Sequence, residues 1–412
     1  MHDSAEGAGD GAQDQRSLLA VALGSMIAAQ ALVVFASLAV PIMAPDIAER
    51  FSVPTGLVGT YTSLMFFGAM IAALYSPALV ARFGAVRVSQ GTLLFAALGL
   101  LVALVPSVWA LMPSALAIGL AYGPANPASS SILCRLTTPL NRARVFSFKQ
   151  TSVPIGGAVA GFAVPIIHEV GGWPNVVLSS IVLLLFSIGI LQIWRAPLDA
   201  DRLPGGKLPH PKHLLRPVGF VMRSPELRQL AFMSCAFAGA QFTFFAVCVA
   251  VLVSQGGLSL PLAGAALSAA MATGFFVRIL SGYAADRFGG INVLCAFATV
   301  MVAGTLGLAL MTPGWPLWLS FAIAVVLGAG GLSWNGVYLA EVAARSSSRE
   351  VALATAGCMF MTFCGGLAGP AMFSLLAIAV DSYRPPLVVT SCFAGIAFLA
   401  LVRLRSIDRA GL

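Results

Sequence analysis

The chain has 412 residues, 59% of them hydrophobic and 9% charged, with a mean hydropathy of +0.93 and a formal net charge of +8. Soluble domains carry about 25% charged residues, so this composition excludes a water-soluble globular protein. The charges gather in short clusters between apolar runs of roughly 20 residues, the length that crosses a ~30 Å hydrocarbon core, as in a polytopic membrane protein.

In chain order, residues 1–16 (MHDSAEGAGDGAQDQR) are polar and acidic and lack the basic start of a secretory signal. They are expected to form a disordered cytoplasmic tail. Apolar runs follow at roughly 18 to 44, 55 to 80, 88 to 108, 113 to 134, 145 to 167, 174 to 194, 229 to 254, 260 to 283, 292 to 312, 316 to 341, 351 to 379 and 385 to 402. They are continuously apolar and longer than the ~10-residue alternating strands of a membrane barrel. The predicted fold class is therefore all-α, with twelve transmembrane helices in two six-helix bundles. Residues 195–228 hold six prolines and an excess of basic side chains, and they read as a cytoplasmic linker. The expected organisation is a tail at 1–16, a half at 17–194, the linker, a second half at 229–403 and a tail at 404–412.

Basic residues set the orientation. With a cytoplasmic N-terminus, all but four of the 23 lysines and arginines fall on the cytoplasmic side. Arg50 and Arg384 lie outside, and Lys149 and Arg278 lie within spans. Topology thus accounts for the positive charge without a nucleic-acid partner. The seven cysteines sit in spans or at their ends with no CxxC spacing and read as packing residues, neither disulfides nor metal ligands. No cofactor is expected.

Three segment pairs recur at nearly the same offset. AAQALVVFASLAV (28 to 40) parallels GAQFTFFAVCVAV (239 to 251), pairing Gln30 with Gln241. SPALVARFGAVRV (76 to 88) parallels SGYAADRFGGINV (281 to 293), and IGGAVAG (155 to 161) parallels CGGLAGP (364 to 370). The second pair carries a turn motif of the form G-x-x-x-D-R-x-G, complete as Gly282, Asp286, Arg287 and Gly289. The first half keeps Arg82 and Gly84 but has Pro77 and Ala81 where the glycine and the aspartate belong. On these residues the chain, from about 17 to 403, resembles the major facilitator superfamily. The resemblance implies a secondary transporter with a cytoplasmic gate at this motif and two bundles alternating access to a central site.

Two cations lie in the spans. Arg278 stands eight residues before Asp286, or ~12 Å along a helix, deep enough that insertion costs about 2.5–3.5 kcal/mol. Its helical face reads Gly264, Ser268, Met271, Gly274 and Ser281, small or polar as in a cavity-lining helix. A substrate contact and a hydrogen-bonding role toward helix carbonyls both fit. Lys149 is five residues beyond Arg144 and could also snorkel to the surface. No aspartate or glutamate lies deep in any span: Asp46, Glu49, Glu169 and Asp381 are near outer ends, and Asp286, Glu341 and Glu350 near inner ones. Two buried cations without a carboxylate favour an anionic substrate, for which a guanidinium fork suits a carboxylate. An arginine four residues before the motif's glycine also resembles monocarboxylate transporters and oxalate:formate exchangers. The monocarboxylate carriers' companion aspartate is Gly274 here.

Gln30, Gln241, Asn126 (in YGPANPASSS) and, in SWNGVYLAE, Trp334, Asn335 and Tyr338 are further candidates to contact substrate. Interhelical packing is the alternative for each. Gly156, Gly157, Gly161, Gly365, Gly366 and Gly369, with Pro165 and Pro370, permit close helix contact and bending. The fifth span lacks the glycine-proline pair of proton-coupled exporters, and no GxxxxGK[ST] loop signals ATP use. Without HExxH, paired deep carboxylates or a deep histidine, an enzyme is not expected. The reading is a monomeric carrier of a small organic anion in the cytoplasmic (inner) membrane, coupled to protons or to a counter-substrate. A proton-coupled exporter of drug-like compounds is the alternative.

Overall fold

The computed structural model describes residues 3–43, 47, 57–203 and 214–410. Fifteen α-helices occur in this part: α1 (Asp3–Ile42), α2 (Leu57–Phe83), α3 (Ala85–Val102), α4 (Leu111–Tyr122), α5 (Ala125–Leu136), α6 (Arg142–Lys149), α7 (Ser152–Ile193), α8 (Arg195–Leu198), α9 (Arg216–Arg223), α10 (Pro225–Ser254), α11 (Leu260–Phe288), α12 (Gly290–Ala309), α13 (Leu317–Ala344), α14 (Val351–Val380) and α15 (Arg384–Ala410). No strand occurs among the described residues. The fold is all-α and polytopic, as expected from the continuous apolar runs.

Eleven helical stretches among the described residues are long and apolar enough to cross a membrane. One of them, Arg142–Ile193, has 52 residues. It breaks at Gly171 and at Gly172, where φ is 67° and ψ is −171°, a conformation open to glycine. The arms 152–170 and 173–193 each measure about 30 Å, one bilayer thickness apiece. The eleven stretches thus hold the length of the twelve expected crossings.

At its N-terminal end, α1 extends back to Asp3, so residues expected to be a disordered tail continue the first helix. Once a helix is nucleated, each further residue closes a hydrogen bond at little added cost. The side chains are described from Ser17 onward. His2, Asp46, Glu49, Arg50, the predicted start of the second span at residue 55, and Lys207, His210, Lys212 and His213 of the linker lie outside the described residues.

The chain divides into two compact units. The first is Met1–Val145, Ser152–Leu215 and Ser346–Ala356; the second is Phe146–Thr151, Arg216–Arg345 and Gly357–Leu412. The division follows the two halves of the sequence except that two short segments change sides. Phe146–Thr151, which carries Lys149, groups with the second unit.

Each unit packs its first span against its fifth through glycine. In the first unit a Cβ at Gly156 would overlap the Ala31 carbonyl of α1. In the second, Cβ atoms at Gly365 and Gly369 of α14 would overlap the Cys235 and Gly239 carbonyls of α10. Small residues let backbones approach where lipid offers no hydrophobic drive for association. Hydroxyls in the spans mostly donate back to carbonyls one turn earlier, as Ser37 to Val34 O (2.7 Å) and Thr243 to Gly239 O (2.7 Å) do, so burial leaves them paired. The outer faces carry large apolar side chains such as Val170 (81% exposed) and Ile378 (80% exposed), a surface suited to acyl chains and not to water.

Candidate functional site

Among the described residues three charged side chains are buried: Lys149, Asp199 and Arg278. Arg278 and Lys149 belong to the second unit and lie within apolar spans, whereas Asp199 follows α8 in the first unit. The buried charge inside the spans is therefore cationic.

Arg278 is 2% exposed. Its Nε donates to Leu332 O of α13 at 2.8 Å, Nη2 donates to the same carbonyl, and Nη1 donates to Gln150 O at 2.5 Å. Main-chain carbonyls are the partners that make an intramembrane arginine tolerable. The helical face expected to line a cavity divides into an exposed and a buried part. Ser268 and Met271 are exposed. From Gly274 onward the face is buried against α13, because a Cβ at Gly274 would overlap the Leu332 side chain. The contact is stitched by Ser333 Oγ to Gly274 O (3.1 Å) and Ser281 Oγ to Ser333 O (3.4 Å). One turn along α13, a Cβ at Gly336 would overlap Ser147, so Phe146–Thr151 lies close against this helix. Lys149 in that segment is 1% exposed.

A second cluster in the same unit brings three more predicted residues together. Trp334 Nε1 donates to Gln241 Oε1 at 2.9 Å. The Trp334 ring packs on Phe237 (centroids 5.1 Å apart) and on Tyr338 (5.3 Å), and both Trp334 and Tyr338 are fully buried. Asn335, on the neighbouring face of α13, is half-buried. Gln30 and Asn126 stand in the first unit. Gln30 is 4% exposed, and its Oε1 accepts no hydrogen bond among the described residues. Asn126 is half-buried on α5, where its carbonyl accepts from Ser129 Oγ.

The two motif turns have matching backbones. Gly84, between α2 and α3, has φ 91° and ψ 157°; Gly289, between α11 and α12, has φ 88° and ψ 136°. Both lie where a side chain is strained. The preceding arginines match as well, with Arg82 over the Phe83 ring (5.1 Å) and Arg287 over the Phe288 ring (5.5 Å). Asp286 lies in the last turn of α11, and Gly282 is buried one turn earlier.

Near these turns sit ion pairs that the sequence reading did not single out. Arg345, just after α13, is 13% exposed and meets Glu341, Asp408 (2.9 Å) and Glu226 (3.6 Å). Burial alone lowers its pKa, but Glu341 and Asp408 outweigh this and raise it. Arg135, at the end of α5, pairs with Asp201 at 2.5 Å. Arg135 and Arg345 are 210 positions apart, and Asp201 and Asp408 are 207 apart, so this arginine-acid pair extends the repeat. The signal was present in the sequence as one more match at the repeat's offset.

The family model of the Major Facilitator Superfamily matches residues 21–343. Among curated proteins, the chain is similar to the MFS-type transporter of Gibberella moniliformis (strain M3125 / FGSC 7600), with 29% identity over 204 residues, 48% of either chain. It thus spans about half the length of that relative. The hexuronate transporter of Bacillus subtilis (strain 168) is 23% identical over 347 residues, 75% of this chain and 78% of that one. Among solved structures, the fucose:proton symporter FucP of E. coli superposes with a TM-score of 0.72 at 15% identity, covering 93% of this chain and 98% of that one. The human organic anion transporter MFSD10 (TETRAN) gives 0.71 at 16% identity, covering 95% and 99%. At these identities the superpositions establish the fold alone. The family match covers most of the sequence, and the chain belongs to the Major Facilitator Superfamily.

Proposed function

We propose that this transporter is a secondary carrier for a small carboxylate anion, with a sugar acid of the hexuronate class the first candidate, and that it works by alternating access. The observation that carries the reading is the sign of the buried charge: Arg278 and Lys149 lie within spans of the second unit, and no buried carboxylate accompanies them among the described residues of that unit. A guanidinium now held by carbonyls can exchange them for a carboxylate, which accepts the same donors through stronger charge-assisted bonds. Within the second unit, Gln241, Trp334, Asn335 and Tyr338 would serve the hydroxyls of such a substrate, and Gln30 and Asn126 are the candidates of the first unit taken by itself. The hexuronate transporter of Bacillus subtilis supports this class of substrate, since a hexuronate joins one carboxylate to a polyol. The arginine-rich ends favour a cytoplasmic side for Gly84, Gly289 and both termini. Exchange of one anion for another would need no intramembrane acid, whereas proton symport would.

Counterflow in proteoliposomes tests this, using labelled D-glucuronate, D-galacturonate, lactate and L-fucose with wild type, Arg278→Gln, Arg278→Lys and Lys149→Gln. Uptake of a carboxylate that falls at least tenfold in Arg278→Gln and partly in Arg278→Lys is expected. Movement of fucose alone, or equal uptake by wild type and Arg278→Gln, would overturn the reading.

A further inference from the structure

The first-half turn lacks the motif's aspartate, since Ala81 stands where the second half has Asp286. We propose that Asp199, in the segment after the sixth span, brings a carboxylate to this turn from outside the motif and that residues 195–203 form a strap holding it. The inference rests on family membership and not on the anionic substrate.

Gly84 leads into α3 with no side-chain cap of its own. The first amides of a helix have no partner within it. Here the Asp199 carboxylate takes two of them, Val86 N at 2.8 Å and Arg87 N at 3.1 Å. A negative group at a helix N-terminus also meets the positive end of its dipole. Asp199 is 3% exposed, which is unusual for a carboxylate on a connecting segment. Burial raises its pKa, against the two amide bonds and the Arg195 guanidinium (3.9 Å), which lower it.

The rest of the segment is fastened on both sides of this cap. Leu203 N donates to the carbonyl of Ala81 at 2.8 Å, the residue at which the motif departs. Arg135 Nη2, from the end of α5, donates to Leu198 O at 2.8 Å, and Asp201 pairs with the same guanidinium. The Leu198 side chain is fully buried. The strap therefore joins the ends of the second, third and fourth spans. Gly84 is required for this as well as for its own φ, because a Cβ there would overlap the Asp199 carboxyl.

In the second unit, by contrast, α12 starts at Gly290 with no side-chain cap bond. Arg405 of α15 donates instead to the Asn292 side chain, and α15 stays helical to Ala410. The last span of the second half thus touches its third through a side-chain pair, whereas in the first unit a carboxylate after the last span bonds the amides of the third.

Hydrogen-deuterium exchange on the full chain in lipid nanodiscs tests the inference, following the amides of residues 84–90 and 195–203. Asp199→Ala is expected to speed exchange at Val86 and Arg87 by about tenfold or more, as loss of two charge-assisted bonds requires. Exchange in the rest of α3, at residues 95–102, should stay at the wild-type rate, which a general packing defect would not allow. Should Asp199→Ala not give monodisperse protein, Asp199→Asn replaces it, with an intermediate rise expected. Unchanged exchange at Val86 and Arg87 overturns the cap, and an equal rise throughout α3 overturns the strap as a local fastening.

Discussion

The turns at Gly84 and Gly289 share a backbone and differ in what secures them. Both glycines have φ near +90°, both end a helix whose last turn carries an arginine over a phenylalanine, and both open the next helix at once. Around Gly84 the security comes from a distant segment, through the Asp199 carboxylate and the Leu203 amide. Around Gly289 it comes from the spans themselves: the Glu341 side chain lying against Gly290, and Arg345 gathering Glu341, Asp408 and Glu226. A duplicated backbone can thus keep its geometry while the two copies redistribute the charges that hold it.

Substitutions at paired positions should break this likeness unequally. The largest difference is expected between Gly84→Ala and Gly289→Ala. Each forces a side chain into a glycine conformation at about 1–3 kcal/mol, but Gly84→Ala also displaces the Asp199 carboxyl. Thermal unfolding of the purified protein should show the lower midpoint for Gly84→Ala; equal midpoints would remove Asp199 from the account of that turn. Next in size is the arginine pair. Arg345 is 13% exposed among three acids and Arg135 28% exposed beside one, so Arg345→Gln should cost about 2–3 kcal/mol and Arg135→Gln about 1 kcal/mol or less. Denaturant titration in mixed micelles would read both, and the reverse order would contradict the burial argument. A loss of about 1 kcal/mol is expected from Trp334→Phe, which keeps the ring stack and leaves Gln241 Oε1 without its donor. Trp334→Phe with Gln241→Leu should recover part of that loss, and a purely additive double mutant would show that the bond does not couple them.

Much of the fold was legible because lipid imposes it. A bilayer demands about 20 apolar residues per crossing, so the spans could be read by length alone, including the two arms that meet at Gly171 and Gly172. The repeat was legible where glycine had to be kept, at Gly84 and Gly289 and at Gly156 and Gly365. The surroundings of Arg278 were not. Its partners are main-chain carbonyls of Leu332 and Gln150, 54 and 128 positions away, and a carbonyl leaves no trace in residue identity. Asp199 was hidden for a different reason, since it sits in a proline-rich segment whose composition reads as a linker. The short exchange of Phe146–Thr151 between units was equally invisible, because an apolar span carries no sign of which bundle each turn joins.

The break at Gly171 and Gly172 also bears on how the protein is made. Two arms joined by a pair of glycines leave no loop to hold one arm while the other is still being synthesised, so the fifth and sixth crossings should enter the bilayer together as one hairpin. Trp173, at the start of the second arm, donates through Nε1 to Ala103 O at 3.0 Å, a residue past the end of the third span. The hairpin can therefore be fastened at its tip as soon as it arrives, against a part of the chain that left the ribosome earlier.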